Sequence, residues 1–239
     1  MPENIVIIGT SGAIGSAFTR RMSALHPASK IHAFSQSSTP TSEGNITYHP
    51  ICYADEASIQ DAASLAAETG PLDTVIVATG LLHEGDIRPE KSLKDLSAKK
   101  FMKIFEANTI TPSLLAKHFI PKLNRDNKAT FAAISARVGS ISDNRLGGWY
   151  AYRASKAALN MILKNAALET ARRNKNAVII GLHPGTVDTD LSKPFQANVP
   201  SGKLFTPDFA ATKMLKVLDS LSPQHSGKIF AWDGQEISP

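Results

Sequence analysis

The alternation of short apolar runs with amphipathic stretches most constrains how this chain of 239 residues can fold. Runs rich in β-branched residues predict buried strands at 4–9, 30–35, 46–53, 72–80, 129–135, 177–183 and 228–232. Helical periodicity predicts helices at 12–25, 57–69, 93–123 with an interruption near Pro112, 152–173 and 206–221. Because strands alternate with helices, we predict an α/β fold, a doubly wound parallel sheet with helices on both faces. The polar segment 36–45 is expected to be a loop.

The composition fits one domain over residues 1–239, with 42% hydrophobic and 20% charged residues. The net charge is +5, but the Lys and Arg residues are scattered, so we expect no nucleic-acid partner. Cys52 is the only cysteine, which excludes an intrachain disulfide. The apolar run near the N-terminus is too short for a signal or membrane segment, so we expect a cytoplasmic protein with no membrane partner. The histidines and Cys52 show no metal-ligand spacing, and no metal site is expected.

A glycine-rich segment, Gly9-Thr-Ser-Gly12-Ala-Ile-Gly15, follows the first predicted strand and opens the first predicted helix. Glycines in this context allow a tight turn, close approach of a phosphate and close packing of helix on strand. The helix N-terminus adds free N–H groups and the positive end of its dipole. The segment therefore predicts a dinucleotide site of the Rossmann type, with a purely structural turn as the alternative. The expected contacts are Gly9, Ser11, Gly12, Ala13, Ile14 and Gly15.

Other segments indicate how the rest of a dinucleotide would bind. An NAD site usually carries an acid after the second strand, but here Ser35 and Gln36 are followed by two more serines. A carboxylate about 4 Å from a phosphate charge would cost about 4 kcal/mol at a dielectric of about 20, so its absence favours NADP over NAD. No arginine is present there to bind the extra phosphate. We expect the cofactor ribose and nicotinamide to contact Ala78, Thr79, Gly80, Pro184, Gly185, Val187 and Thr189.

Tyr152 and Lys156 lie four residues apart where a helix is predicted, so their side chains share one face. A phenol has an ordinary pKa of about 10. An ammonium about 5 Å away, at a dielectric of about 20, would favour the phenolate by about 3 kcal/mol, or about two pKa units. The pair is therefore a candidate for general acid–base catalysis, and a surface lysine beside a packed tyrosine is the alternative.

Taken in order, these segments resemble the short-chain dehydrogenase/reductase family over essentially the whole chain. The segments GSISDNRLGGWYAYRASKAALN and SGKIFAWDGQEI resemble the branch that contains C-factor-like proteins and carbonyl reductases. The resemblance implies an NAD(P)(H)-dependent oxidoreductase that interconverts a small-molecule carbonyl and an alcohol by hydride transfer, with Tyr152 as general acid/base. It also implies that Lys156 lowers the pKa of Tyr152 and holds the nicotinamide ribose. Asn108 would position a proton-relay water, and Thr189 would contact the carboxamide.

The chain departs from the family pattern at three places. The glycine spacing is Gly-x-x-Gly-x-x-Gly, whereas Gly-x-x-x-Gly-x-Gly is commoner in the family. Cys52 stands where an adenine-contacting Asp is usual, which leaves Tyr53 to line that pocket. Ala136 stands where the catalytic Ser is usual. We expect Ser140 to replace that hydroxyl rather than Ser135, which strand alternation points to the face opposite residue 136; a water or backbone donor is the remaining possibility.

Two hypotheses about function remain after these departures. The first is a carbonyl reductase or alcohol dehydrogenase with a preference for NADP. The second, which Ala136 and the likeness to C-factor-like proteins allow, is a dinucleotide-binding regulatory or signalling protein with little turnover. Segment 191–204 is expected to be a mobile lid that carries substrate specificity. The apolar surface of the long helices at 93–123 and 152–173 predicts a homodimer or homotetramer.

Overall fold

The computed structural model describes residues 2–239, without the side chain of Asn198. A nine-stranded sheet forms its centre, and a separate two-stranded ribbon lies beside it. The strands of the central sheet are β1 (Asn4–Ile8), β2 (Lys30–Ser35), β3 (Thr41–Glu43), β4 (Ile46–Pro50), β5 (Thr74–Val77), β6 (Ala129–Ile134), β7 (Ala177–His183), β10 (Ile229–Ala231) and β11 (Glu236–Ile237). The ribbon pairs β8 (Thr186–Val187) with β9 (Leu204–Phe205).

Six α-helices surround the sheet: α1 (Ala13–Leu25), α2 (Glu56–Ala66), α3 (Ala98–Phe105), α4 (Thr111–Phe119), α5 (Tyr150–Thr170) and α6 (Pro207–Ser220). A π-helical turn, Glu106–Ile110, joins α3 to α4. The irregularity predicted near Pro112 therefore lies just before it, and the wider turn accommodates a proline that has no N–H to donate. No helix among residues 2–239 is long and apolar enough to cross a membrane.

The strand order confirms the doubly wound α/β fold. The central sheet runs β11-β10-β7-β6-β5-β1-β2-β4-β3, and only the two edge strands β3 and β11 pair antiparallel. The chain first moves outward from β1 through β2 to β4, and then returns to the opposite side of β1 at β5. In such sheets the ligand crevice opens at the carboxyl ends of the strands where this reversal occurs, here β1 and β5.

Both faces of the sheet are covered at its centre, which explains why the central strands β1, β5, β6 and β7 are buried along almost their whole length. Ile5 and Ile7 point to one face and pack in a core with α1 and α6. Val6 and Ile8 point to the other face, where α2, α4 and α5 cover the sheet. This second core is the one beside which the candidate site lies.

Three local expectations need correction. The segment 36–45, expected to be a loop, contains β3, whose residues are all exposed and so give no hydrophobic signal. The third predicted strand is shorter than expected because β4 ends at Pro50, and Cys52 and Tyr53 therefore lie in the loop that leads to α2. The long helix α5 begins at Tyr150, so Tyr152 lies within its first turn rather than at its start.

Candidate active site

The glycine-rich turn holds α1 tightly against the end of β1. Gly9 has a φ of +92°, and a Cβ there would lie 2.9 Å from the carbonyl carbon of Ala78. A Cβ on Gly15 would lie 2.2 Å from the carbonyl oxygen of Gly9. Neither position accepts a side chain without movement of the backbone, because real Cβ atoms do not approach backbone so closely. The close helix–strand packing expected of this motif is therefore present.

The start of α1 is open to a ligand. Gly12 is the N-cap and provides no side-chain cap, while Ser11 and Ala13 are exposed beside it. The first N–H groups of a helix have no partner within the helix, so here they face outward and can bind an anion. Ile14, next in the turn, is half-buried and packs against the core on the α1 side.

Two buried hydroxyls near this turn make no hydrogen bond of good geometry with the described residues, although the Tyr53 phenol lies close to the Gly9 backbone. They are the Oγ1 of Thr79, just after β5, and the Oη of Tyr53, after β4. The backbone N of Thr79 would lie 3.2 Å from a Cβ on Gly9, which places this residue against the glycine turn. Burial raises the pKa of the Tyr53 phenol. Because buried polar groups are nearly always paired, these hydroxyls fit a polar ligand such as the ribose and adenine of a dinucleotide.

No acidic side chain stands in the turn that follows β2. The buried Oγ of Ser35 lies 2.6 Å from the Oγ of Ser38, so the two hydroxyls close a small turn. Gln36 is exposed beside them. A phosphate group at this position would meet hydroxyl and amide groups and no carboxylate of the turn.

The acid–base candidates Tyr152 and Lys156 lie together on α5. The Nζ of Lys156 is 5.8 Å from the centre of the Tyr152 ring and donates a 2.8 Å hydrogen bond to the Ile134 carbonyl. Burial raises the pKa of Tyr152 to about 12 and lowers the pKa of Lys156 to about 8. The expected lowering of the Tyr152 pKa is therefore wrong for this structure, because burial outweighs an ammonium that lies over the ring and bonds to a carbonyl.

Asn108 is completely buried in the π-helical turn, and both polar atoms of its side chain form hydrogen bonds. Its Oδ1 accepts from the Leu81 N–H at 2.8 Å, and its Nδ2 donates to the Leu81 carbonyl at 2.7 Å and to the Ser155 hydroxyl at 3.2 Å. The side chain thus fastens the segment after β5 to α5. Four residues on, Pro112 has no N–H, so the Asn108 carbonyl lacks the donor that a regular α-helix would give it.

Gly80 marks the point where these groups converge. A Cβ at Gly80 would lie 3.4 Å from the Asn108 Oδ1 and 3.6 Å from the Lys156 Nζ. Gly80 is exposed, so the space above it is open. The structure therefore brings Asn108 and Lys156 to the crevice edge that also carries Thr79 and the glycine turn.

The two candidate replacements for the missing serine differ in their surroundings. Ser135 is buried and donates a 2.6 Å hydrogen bond to the Asn160 side chain on α5, so the structure does not support it as a donor to a substrate. The physical reason is the strand alternation that turns Ser135 away from the side of Ala136. Ser140 is also buried; its Oγ accepts from the Asp143 N–H at 3.1 Å and lies 3.4 Å from the Ser142 Oγ. Because Ser142 donates its own proton to the Pro239 carbonyl, Ser140 is the donor in this long contact, and a substrate oxygen would have to replace Ser142 as its acceptor.

The turn after β7 carries the remaining cofactor candidates. Pro184 is buried, and Gly185 has a φ of +76° with the Phe205 ring 2.7 Å from where its Cβ would be. Val187 pairs with Phe205 in the small ribbon. The Thr189 hydroxyl donates to the Val187 carbonyl at 3.3 Å and keeps its acceptor positions free. The ribbon therefore fixes this turn on the β7 side of the site.

The aromatic cluster beside Tyr152 includes two rings, Phe195 and His83, that no local sequence pattern placed there. The Trp149 ring meets the Tyr152 ring edge to face, with centroids 6.2 Å apart, and lies 5.0 Å from the Phe195 ring. Phe195 belongs to the 3₁₀ helix Lys193–Asn198 within the predicted lid, and it also contacts the His83 ring at 5.7 Å. The Nε2 of His83 lies 3.1 Å from the Leu191 carbonyl, which holds the start of the lid.

Glu90 is a further residue beside the site that no sequence pattern indicated. It is buried, its carbonyl accepts from the Trp149 N–H at 2.6 Å, and its carboxylate accepts from the Ala151 N–H at 3.2 Å. It therefore caps the start of α5, where a negative charge is favourable. The glycines Gly147 and Gly148 were the only local signal of this arrangement, since its partners are 61 residues apart in sequence.

Comparison with known proteins identifies the family. Residues 3–200 match the family model described as short chain dehydrogenase. The C-signal protein of Myxococcus xanthus is 34% identical over 169 residues, which cover 71% of this chain and 93% of that protein.

The chain belongs to the short-chain dehydrogenase family. As a family member it is an NAD(P)-dependent oxidoreductase, and it is similar to C-signal and carbonyl reductase proteins, as the sequence resemblance implied. This short-chain dehydrogenase is also 29% identical over 236 residues to the 1-hydroxy-2-glutathionyl-2-methyl-3-butene dehydrogenase of Rhodococcus sp. strain AD45, a match that covers 97% of each chain. Its structure superposes on the NADPH-bound carbonyl reductase from chicken fatty liver with a TM-score of 0.85 and 26% identity, covering 98% of this chain and 93% of that one.

Proposed function

We propose that this short-chain dehydrogenase interconverts a small-molecule carbonyl and its alcohol, with Tyr152 as the residue that exchanges a proton with the substrate oxygen. The observation that carries this proposal is the convergence of the α5 pair, Tyr152 and Lys156, with Asn108 at Gly80, beside an open glycine turn. A phenol, an ammonium and an anion-binding helix end at one crevice are the groups that carbonyl reduction requires.

Four segments of the chain each bind a different part of a dinucleotide. The open start of α1 binds the pyrophosphate, and the buried hydroxyls of Thr79 and Tyr53 face the ribose and adenine. The turn that ends in Thr189 positions the nicotinamide. When bound, the nicotinamide supplies the hydride; the protein supplies position and electrostatics.

Tyr152 acts as the proton donor in the reducing direction. With its pKa raised to about 12, the phenol stays protonated at neutral pH and is ready to give its proton to the substrate oxygen as charge develops there. The phenol O–H bond breaks, the proton moves to that oxygen, and a phenolate remains. The Lys156 ammonium, below its pKa of about 8, stabilises this phenolate, and a water on the Asn108 carbonyl can return the proton.

Ser140 provides the second hydrogen bond to the substrate oxygen. Gly139, just before it, lies against the Lys156 backbone on α5, so the turn that carries Ser140 borders the reacting pair. Ala136, at the usual serine position, offers no hydroxyl. Donors aimed at developing charge in a partly buried site lower the barrier, and one such donor is typically worth a factor of 10² to 10³ in rate.

NADP is the preferred cofactor. The support is the turn of Ser35, Gln36 and Ser38, which offers hydroxyl and amide groups and no carboxylate to repel a 2′-phosphate. The carbonyl reductase from chicken fatty liver was solved with NADPH bound. Titration of the protein's fluorescence with NADPH and NADH measures the preference directly; equal dissociation constants would contradict it.

The protein associates into a homodimer or homotetramer through the helical segment 93–123 and α5. Ile110, in the π-helical turn, and Met161 and Leu168, on α5, are large apolar residues that remain more than half exposed. Burying such residues against a second copy is favourable, since each removes apolar area from water.

A regulatory role with little turnover is the second candidate. It is supported by Ala136 and by the similarity to the C-signal protein. The experiment that separates the two is NADPH oxidation, followed at 340 nm, against a panel of aldehydes and ketones. Turnover of any carbonyl, lost in Tyr152→Phe, supports the oxidoreductase; tight NADPH binding with no turnover on the whole panel supports the regulatory role.

A further inference from the structure

Trp149 has the one non-glycine positive φ among residues 2–239, at +51°. A left-handed conformation costs an L-residue about 1–2 kcal/mol, and the two residues before it are glycines that adopt it freely. A third glycine would remove that strain, yet a tryptophan is present. Strain of this kind persists where the surrounding structure enforces it and where function uses it.

Two neighbouring segments hold the tryptophan and its aromatic partner in place. Glu90 binds the backbone at Trp149 and just after it, through the N–H groups of Trp149 and Ala151. His83 holds the lid near Phe195 through the Leu191 carbonyl. The two rings, Trp149 and Phe195, are named here the aromatic clamp.

The aromatic clamp lies next to Tyr152, the proposed proton donor. Trp149 contacts the ring of Tyr152 edge to face, with ring centroids 6.2 Å apart, so the clamp borders the residue that is proposed to meet the substrate oxygen. Trp149 and Phe195 are both only half-buried, so each keeps an open face in addition to their mutual contact. Flat aromatic groups pack edge to face or offset on such faces with a gain beyond simple apolar burial.

We infer that the aromatic clamp selects carbonyl substrates that carry an aryl ring directly on the carbonyl carbon. This inference rests on the proposed function and adds its substrate class. Trp149 and Phe195 are the specificity-determining residues, and Glu90 and His83 are positioning residues that act through them.

The test compares benzaldehyde with cyclohexanecarbaldehyde, which have rings of equal size and differ in flatness and π-character. The measured quantity is the ratio of their kcat/KM values with NADPH, in the wild-type protein and in Trp149→Gly, Trp149→Phe and Phe195→Leu. We expect the ratio to fall about tenfold in Trp149→Gly and in Phe195→Leu and to be kept in Trp149→Phe, because one aromatic pair is worth about 0.5–1.5 kcal/mol. Comparing ratios cancels the different intrinsic reactivity of the two aldehydes.

Phe209→Leu is the matched control. Phe209 lies on α6 and packs against Phe205 and Trp232, and none of its ring contacts among the described residues is with the clamp. Trp149→Gly relieves backbone strain but loses the packing of the indole, so a melting curve checks that it folds, and Phe195→Leu tests the clamp without a change of backbone strain. If both aldehydes lose activity by the same factor in the clamp variants, the clamp is a general apolar wall and the inference is wrong. A change of the ratio in Phe209→Leu as large as in Phe195→Leu would also overturn it.

A binding measurement separates this inference from the proposed function. The chain has two tryptophans, so Trp232→Phe leaves Trp149 as the only indole and makes its fluorescence a local probe. In the NADP⁺ complex of that protein, we expect Phe195→Leu to lower the preference for benzyl alcohol over cyclohexylmethanol about tenfold. That result without turnover of any carbonyl would support the clamp and contradict the proposed function. An unchanged preference would overturn the clamp whatever the activity.

Discussion

Lys156 is 1% exposed, and its Nζ lies over the ring of Tyr152 and donates a hydrogen bond to the Ile134 carbonyl. A buried ammonium is costly, and here the pKa falls from its ordinary 10.5 to about 8. The unfolded chain therefore binds more protons than the folded chain between about pH 8 and 10.5. Stability contributed by this site rises with pH across that window, and the full penalty is present below pH 8.

Lys156→Met should therefore stabilise the cofactor-free protein at pH 7 while abolishing its activity. A shift of this size corresponds to about 3 kcal/mol, from which the lost partner of the Ile134 carbonyl subtracts about 1–3 kcal/mol. Urea unfolding of both proteins at pH 7 and pH 10 measures the difference. We expect the advantage of the variant to shrink at pH 10. A variant that is much less stable at pH 7, or a difference independent of pH, would show that the lysine is not paying this burial penalty.

Ser140→Ala should lower kcat for carbonyl reduction by about 10² to 10³ and leave the dissociation constant for NADPH unchanged. The reason is the loss of the second donor to the substrate oxygen. Ser142→Ala is the matched control, because Ser142 is exposed and its hydroxyl already bonds to the Pro239 carbonyl. Full turnover in Ser140→Ala would leave a water or a backbone N–H as the donor. Ala136→Ser should then be tested for a gain, since it restores the hydroxyl at the usual position.

At the scale of elements, the glycine turn and the start of α1 form one rigid unit. Gly15→Val should weaken NADPH binding and lower the melting temperature, because its Cβ would lie 2.2 Å from the Gly9 carbonyl oxygen and force α1 off the sheet. Gly12→Ala is the control for stability, since its Cβ would meet the same oxygen at 3.4 Å. Isothermal titration with NADPH and thermal melting provide both readouts. Unchanged affinity in a folded Gly15→Val protein would show that the turn does not bind the pyrophosphate.

The elements also show which parts of the fold the sequence could predict. The bounds of β7 match the predicted 177–183 because this buried strand carries a continuous apolar run, and β2 matches the predicted 30–35 although only part of it is buried. The exposed strand β3 carries no such signal. The π-helical turn depends on Asn108 bonding to Leu81, and no local pattern predicts a partner so distant in sequence.

The candidate site was predictable where its residues form motifs and not where they form long-range contacts. The glycine turn and the Tyr152–Lys156 pair follow from local spacing. The charge states of that pair do not, because they depend on how deeply the folded chain buries them. The cap that Glu90 forms on α5 could not be predicted either, because Glu90 and Ala151 are 61 residues apart in sequence.

At the scale of the whole molecule, the exposed apolar residues of the π-helical turn and α5, Ile110, Met161 and Leu168, predict association. Met161 is 60% exposed in the middle of α5, so Met161→Lys would place a charge in the centre of the proposed interface. We expect the wild-type protein to sediment as a dimer or tetramer at micromolar concentration and the variant to sediment as a smaller species. Leu146→Lys is the control, because Leu146 is 91% exposed on the loop before α5 and lies outside both segments. A monomeric wild-type protein would contradict the proposal.

The sheet reversal at β1 and β5, the glycine turn and the α5 pair together make one claim about the whole molecule: Tyr152 is the acid of a carbonyl reductase. The most direct test is the rate of NADPH oxidation with a turned-over aldehyde in Tyr152→Phe, with Tyr150→Phe as the matched control on the same helix turn. Tyr152→Phe keeps the ring and removes the proton, so kcat should fall by about 10² to 10⁴ while the dissociation constant for NADPH stays the same. Tyr150→Phe should keep wild-type kcat. Equal kcat in Tyr152→Phe and the wild-type protein would contradict the account.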